Sequence, residues 1–372
     1  MIVLLAALFV VSPAAKAEDI DVWDGTIARN FAGGTGKKDD PYIIPNAAEL
    51  AFFSQSVQTD YYEGKYVSLT ADIDLNDKPW TPIGNNGNSF VGVFDGNGHT
   101  VSHVNVNLSN TKEVGLFGKT GNFGAADGGS INNLTVRDST ITGTECEDVG
   151  AVAGYAHIVI NCQSINSVVT GTMYVGGVCG QVSGSISRCY NTGSVTGAGT
   201  KAEQPVGGVG GLVEYRTTSD CINTGKVTAA AINTRVGGVF GGLKKLSGSY
   251  CMNAGKVLGG SAAGEVVGAL TEGATITDFY YDLNVCRINN GKGTGWLTDS
   301  LSGELPTGFS KDKWTADGER IRETGDRYGV RETVYISLKN VGEPGVAGEG
   351  TPVYNFSVDD TKDWQEYTPH KQ

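Results

Sequence analysis

Val175-Gly-Gly-Val-Cys-Gly180 returns as Val206-Gly-Gly-Val-Gly-Gly211 and again as Val236-Gly-Gly-Val-Phe-Gly241. Looser copies stand upstream at Val114-Gly-Leu-Phe-Gly118 and Val149-Gly-Ala-Val-Ala-Gly154, and Val267-Gly-Ala-Leu270 reads as a decayed last copy. The leading valines are spaced by 35, 26, 31, 30 and 31 residues. A near-constant period in this range marks a stacked-repeat architecture.

A second phrase runs in phase with the first. It reads Ile186-Ser-Arg-Cys-Tyr-Asn-Thr-Gly193, then Ser219-Asp-Cys-Ile-Asn-Thr-Gly225, then Ser249-Tyr-Cys-Met-Asn-Ala-Gly255. A looser copy is Ile160-Asn-Cys-Gln-Ser164, and the Cys-less Ile131-Asn-Asn-Leu-Thr-Val136 precedes it. Each repeat thus holds short Val-, Ile- and Thr-rich stretches punctuated by Gly, Asn and Ser, which argues strand. The period carries no helical half, so tetratricopeptide and ankyrin patterns fail, and the leucine spacing of leucine-rich repeats is missing. What remains is an all-β solenoid, one coil per repeat, with equivalent strands stacked about 4.8 Å apart.

Within such a coil the recurring residues take structural roles. Gly176, Gly177, Gly207, Gly208, Gly237 and Gly238 are expected to bend a corner and admit close packing, since glycine lacks Cβ and reaches positive φ without strain. Cys162, Cys189, Cys221 and Cys251 are expected to align as one interior column of free thiols. Asn191, Asn223 and Asn253 are expected to form a ladder of amides from coil to coil.

The chain has 372 residues, of which 55 are glycine, about twice the usual share of ~7%. Its net charge of −12 argues against nucleic acid and anionic membrane as partners, which are read by clustered Lys and Arg. The apolar run Ile2–Val11 followed by Ala15-Lys-Ala17 reads as a signal peptide over 1–17, cleaved after Ala17, so the mature protein is expected to be exported. No segment reaches the ~18 apolar residues of a membrane span.

The Gly-Gly elements resemble the GLUG-motif repeats of bacterial secreted and surface proteins. The resemblance extends to Trp23-Asp-Gly-Thr26, Tyr66-Val-Ser-Leu-Thr-Ala-Asp-Ile-Asp-Leu75, Trp80-Thr-Pro-Ile-Gly84 and Phe90-Val-Gly-Val-Phe-Asp-Gly-Asn-Gly-His99 ahead of the repeats. Beyond them it takes in Phe279-Tyr-Tyr-Asp282 and Thr298–Phe309. It implies a right-handed parallel β-helix with an N-terminal cap and first coils over 18–111, repeats over 112–285, and an exit segment with a short β-rich tail over 286–372. Similar repeats occur in adhesin-like proteins and in the non-catalytic part of immunoglobulin-cleaving metallopeptidases. The family brings no shared catalytic residues and no cofactor.

Candidate chemistry is sparse. His99-Thr-Val-Ser-His103 lacks the glutamate of a zincin, and along a strand its histidines sit about 13 Å apart. Asp72, Asp74 and Asp77 offer hard oxygens to Ca²⁺ but lack the glycine and distal glutamate of an EF-hand, so a turn with solvated acids is expected. Glu145-Cys-Glu-Asp148 reads as a solvated loop. Paired acids do not recur at one repeat position, as a polysaccharide-cleaving β-helix requires. Asp95 and Asp278 stand apart, and Lys226 and Lys256 are equivalent. Tyr61, Tyr62, Trp80, Tyr280, Tyr281 and Trp296 are expected to be exposed near the ends or to cap them. The expected function is non-catalytic: an adhesin-like module contacting host or environmental glycans or surface proteins, or a spacer. The alternative is a carbohydrate-active lyase or hydrolase on the same fold.

Overall fold

The computed structural model describes residues 21–121, 128–200, 203–229, 235–259, 263–282, 293–296, 314–325, 329–338 and 355–357. The signal segment, Cys286 and the side chain of Trp296 lie outside the described residues. The chain winds into a β-solenoid of about eight turns. Val114, Val149, Val175, Val206 and Val236 stack in register in a five-stranded parallel sheet. A six-stranded parallel sheet holds Asn105–Ser109, Thr140–Thr144, Val168–Gly171, Ser194–Gly197, Val227–Ala229 and Val257–Leu258. The largest sheet carries the Cys and Asn positions and closes the coil.

The last copy of the Gly-Gly phrase begins earlier than the sequence suggests. Val267 pairs with Phe240 rather than with Val236, and Gly237 bridges Gly264. The equivalent segment is therefore Ala263-Gly-Glu-Val-Val-Gly268, 27 residues after Val236. A Val-Gly pair occurs at the end of this segment as well as at the start of the others, which disguises the phase.

The glycine pairs also act differently from expectation. None of Gly176, Gly177, Gly207, Gly208, Gly237 and Gly238 has a left-handed φ. Their requirement is space alone. A Cβ on Gly176 would overlap Cys179 O, and one on Gly177 would lie 2.5 Å from Asn191 Cγ. Likewise a Cβ on Gly208 would overlap Asn223 Cγ, and one on Gly238 would overlap Asn253 Cγ. The second glycine of each pair is thus small because the amide of the same coil and a backbone carbonyl of the next coil together occupy the volume its side chain would need. The left-handed corner falls one residue before each column cysteine, on Asn161, Arg188, Asp220 and Tyr250, with φ of 57°, 54°, 55° and 55°.

The N-terminal end is closed by bulk. Asn46 caps the helix Ala47–Ser56, its Oδ1 accepting from the Ala48 and Glu49 amides at 2.9 and 3.3 Å. The helix buries Leu50 and Phe53 over the first coils. Phe53 stacks on Phe94 at 6.0 Å, and Phe94 meets Phe117 edge-on at 4.9 Å. Tyr62 and Trp80 belong to this closure and are buried, with Trp80 Nε1 donating to Leu116 O at 3.0 Å. Tyr281, at the other end, is buried too, whereas Tyr61 is half exposed. A three-stranded antiparallel sheet of Trp314–Gly325, Gly329–Leu338 and Asn355–Ser357 follows.

Candidate functional site

Inside the coil the recurring polar and sulfur groups are spent on each other. Asn191 Nδ2 donates to Asn223 Oδ1 at 2.8 Å, and Asn223 Nδ2 to Asn253 Oδ1 at 2.9 Å. Each amide also holds the glycine two residues on. Asn223 Nδ2 donates to Gly225 O at 2.8 Å, while Asn223 Oδ1 accepts from Gly225 N at 3.2 Å. Ser164 precedes this ladder as the register partner of Asn191, and Val136 precedes Ser164.

The six described cysteines are free and buried. Cys162, Cys189, Cys221 and Cys251 each donate to the carbonyl two residues earlier, at 3.3–3.4 Å. Burial pushes the Cys162 thiol up to about 12 and raises Cys189 and Cys251 further from the thiolate range. Burial acts on Cys221 as well, but the adjoining Cys189 and Cys251 side chains outweigh it together and shift this thiol down to about 5. A column of fully buried sulfurs that contact one another and backbone carbonyls is packing material.

A second amide ladder runs along the outer edge of the first coils, where Asn133 and Asn161 hold equivalent places in the loose copies of the second phrase and Asp95 stands outside it. Asn161 Nδ2 donates to Asn133 Oδ1 at 2.7 Å, and Asn133 Nδ2 to Asp95 Oδ1 at 2.9 Å. Asp95 is thereby a corner residue. Asp278 takes the left-handed corner conformation of that same edge, with φ of 55°.

The outer face of the six-stranded sheet carries a regular row of side chains. Thr142, Thr170, Thr196 and Thr228 stand in register on four consecutive coils, alternating with buried Ile141, Val169, Val195 and Val227. Asn107 extends the row at one end and Leu258 at the other. Strand spacing repeats the hydroxyl and methyl of threonine about every 4.8 Å. Lys226 and Lys256 edge the row, each just before its core valine, and Val168 is 46% exposed.

Acidic groups lie elsewhere. Asp72 Oδ1 accepts from Thr100 N at 2.9 Å and meets His99 Nδ1 at 3.2 Å, and Asp74 Oδ1 meets His103 Nδ1 at 2.9 Å. The hydrogen bond to Asp74 raises the His103 pKa against a smaller effect of burial. These acids therefore clamp one coil to the next, and the two histidines are separately partnered. Among the described residues no group of three His, Cys, Asp or Glu is placed to hold a metal.

Asp148 corrects the solvated-loop expectation: it sits in the strand Asp148–Gly150 and is buried, as is Cys146. Its register partner is Glu113, also buried. Lys119 Nζ approaches Glu113 Oε1 at 3.9 Å and lies 5.0 Å from the Tyr155 ring centroid. Farther along, Gln181 Nε2 and Lys244 Nζ both reach Glu214, at 2.9 Å each.

No family model matches the chain, and no solved structure matches it. Among curated proteins, 169 residues are 32% identical to halomucin of Haloquadratum walsbyi, covering 43% of this chain and 2% of that protein. A stretch of 142 residues is 34% identical to a putative Gly-rich membrane protein of Evansella cellulosilytica, covering 36% of this chain and 15% of the relative. The chain therefore spans a small fraction of the length of either relative. No described helix is long and apolar enough to cross a membrane.

Proposed function

We propose that this chain is a non-catalytic module of a secreted or cell-surface protein, a rigid β-solenoid of the GLUG-repeat type that presents a flat face for adhesin-like contact with glycans or surface proteins. The observation that carries the reading is the in-register threonine row edged by Lys226 and Lys256. Repeated hydroxyls at coil spacing suit a ligand that offers many weak hydrogen bonds along its length. The names of the two relatives, a halomucin and a membrane protein, agree with a place at the cell surface. The interior agrees too, since its recurring Cys and Asn groups are committed to packing and to one another.

The test is a glycan and matrix-protein array probed with the full chain, beside a chain carrying Thr170→Glu and Thr196→Glu. Retention of a ligand by the first and not by the second is the expected outcome. Release of reducing ends or unsaturated products from a polysaccharide panel would instead establish the carbohydrate-active alternative.

A further inference from the structure

Glu113 and Asp148 face each other across two neighbouring coils. They are Cα partners in adjacent parallel strands, so their side chains leave the backbone about 4.8 Å apart. Both are buried, at 6% and 5% exposure, and Asp148 Oδ1 has no hydrogen-bond partner among the described residues.

The surrounding charges do not balance the pair. Of the two acids Lys119 approaches only Glu113, at 3.9 Å, while its Nζ donates to Asn86 Oδ1 at 3.0 Å. Lys112, on the same edge, is engaged with Glu147 at 3.3 Å, and Glu147 adds a further negative charge at the rim. From the next strands Tyr155 and Tyr174 face Asp148 as phenols that burial keeps protonated. Glu214 is the remaining acid on this side and is taken up by Lys244. Two buried acids on register positions of adjacent strands, with one lysine near Glu113 alone, cannot both carry charge.

We propose that Glu113 and Asp148 share a proton and form a clasp between these two coils, closed in mildly acidic surroundings and loosened as the pH rises. The pKa directions agree with this geometry. Burial, reinforced by Glu113 and Glu147, raises Asp148 well above the carboxylate range, and burial outweighs Lys119 and Lys112 in raising Glu113. A folded-state pKa above its unfolded value contributes stability that is complete below the unfolded pKa. That stability is lost as the pH climbs through the folded value. The bonds under this control are local: Asp148 N donates to Lys112 O at 2.8 Å, and Tyr174 N to Glu147 O at 2.7 Å.

The test is hydrogen exchange by mass spectrometry on the full chain from about pH 4 to about pH 8, corrected for intrinsic exchange. The peptides to follow cover the strands Glu113–Val114 and Asp148–Gly150. The opening constant there is expected to rise about tenfold for each unit by which the shared proton's pKa exceeds the ordinary carboxylate value. Asp148→Asn should abolish that rise while exchange around Asn223 keeps its wild-type profile. Glu113→Gln should flatten it too, and serves if Asp148→Asn fails to fold. A wild-type profile with no rise, or a rise that survives either substitution, overturns the proposal.

Discussion

The coils up to about Ser164 and the coils from Tyr174 to Gly255 follow the same path with opposite filling. In the first, the position of the second glycine holds Leu116 and then Ala151, and the facing column holds Val101, Val136 and Ser164. In the second, Gly177, Gly208 and Gly238 leave room for Asn191, Asn223 and Asn253. One region is held by apolar volume, which is non-directional and tolerates exchange of one side chain for another. The other is held by directed bonds, in which each member is indispensable to its neighbours. Size and polarity at the two positions change together because they share one volume.

The comparison is tested most strongly at Asn223. Asn223→Ala removes the inter-coil bond of Asn191 Nδ2 and of Asn253 Oδ1 and both side-chain bonds to the Gly225 backbone, and about 4 kcal/mol of stability should be lost in urea denaturation. Val136→Ala, at the corresponding place in the apolar coils, should cost about 2 kcal/mol. Equal losses would erase the distinction.

Next in size is Gly208→Ala. Its Cβ would collide with Asn223 Cγ and Gly238 O, and a thermal melt should report a loss of about 3 kcal/mol. Ala151→Gly, at the equivalent position of the apolar coils, should cost under about 1 kcal/mol, mostly through added chain entropy.

A smaller effect joins the two regions. Ser164→Asn should be unfavourable alone, because the Ala151 side chain stands where Gly177 clears space for Asn191. Combined with Ala151→Gly it should extend the ladder by a rung, with a favourable coupling of about 1 kcal/mol in a double-mutant cycle. Additive effects would show that the two positions do not share a volume.

The smallest effect belongs to the cap. His103 has a raised pKa through Asp74, so its contribution is complete below the unfolded value near 6.5 and disappears as the pH rises through the folded one. The His103 side chain is 41% exposed and its charge screened, so His103→Gln should remove only a few tenths of a kcal/mol at about pH 5 and nothing at about pH 8. Melting temperatures at the two pH values measure the difference.

Much of this was readable from letters alone. Period, coil and the thiol and amide columns follow from Cys-x-Asn recurring behind Val-Gly-Gly, because a parallel stack places identical positions on top of one another. The phase of the last copy was not readable, since Val267-Gly268 imitates the start of a motif that begins at Ala263. The burial of Asp148 was hidden as well. Its neighbours Glu145 and Glu147 suggest solvent, and Asp148 is buried only because residues of adjacent coils, Glu113 and Tyr174 among them, cover it. The reason for the glycines was half visible: the need for a missing side chain shows in sequence, but the identity of the atom that takes its place is a matter of another strand. The outer ladder joins Asn133 and Asn161, from two loose copies of the second phrase, to Asp95 outside it, and emerges only when the coils are laid together.

The inner ladder has a direction. Both described rungs run the same way, Asn191 donating to Asn223 and Asn223 to Asn253, each toward the C-terminal neighbour. A coil that has formed therefore leaves an outstretched donor for the coil that comes next. Each addition closes a loop of one repeat, so the entropic cost of a step stays nearly constant along the array rather than growing with chain length. In kinetic terms the stack can lengthen like a zipper, in the order in which a chain emerges from a ribosome or an export pore.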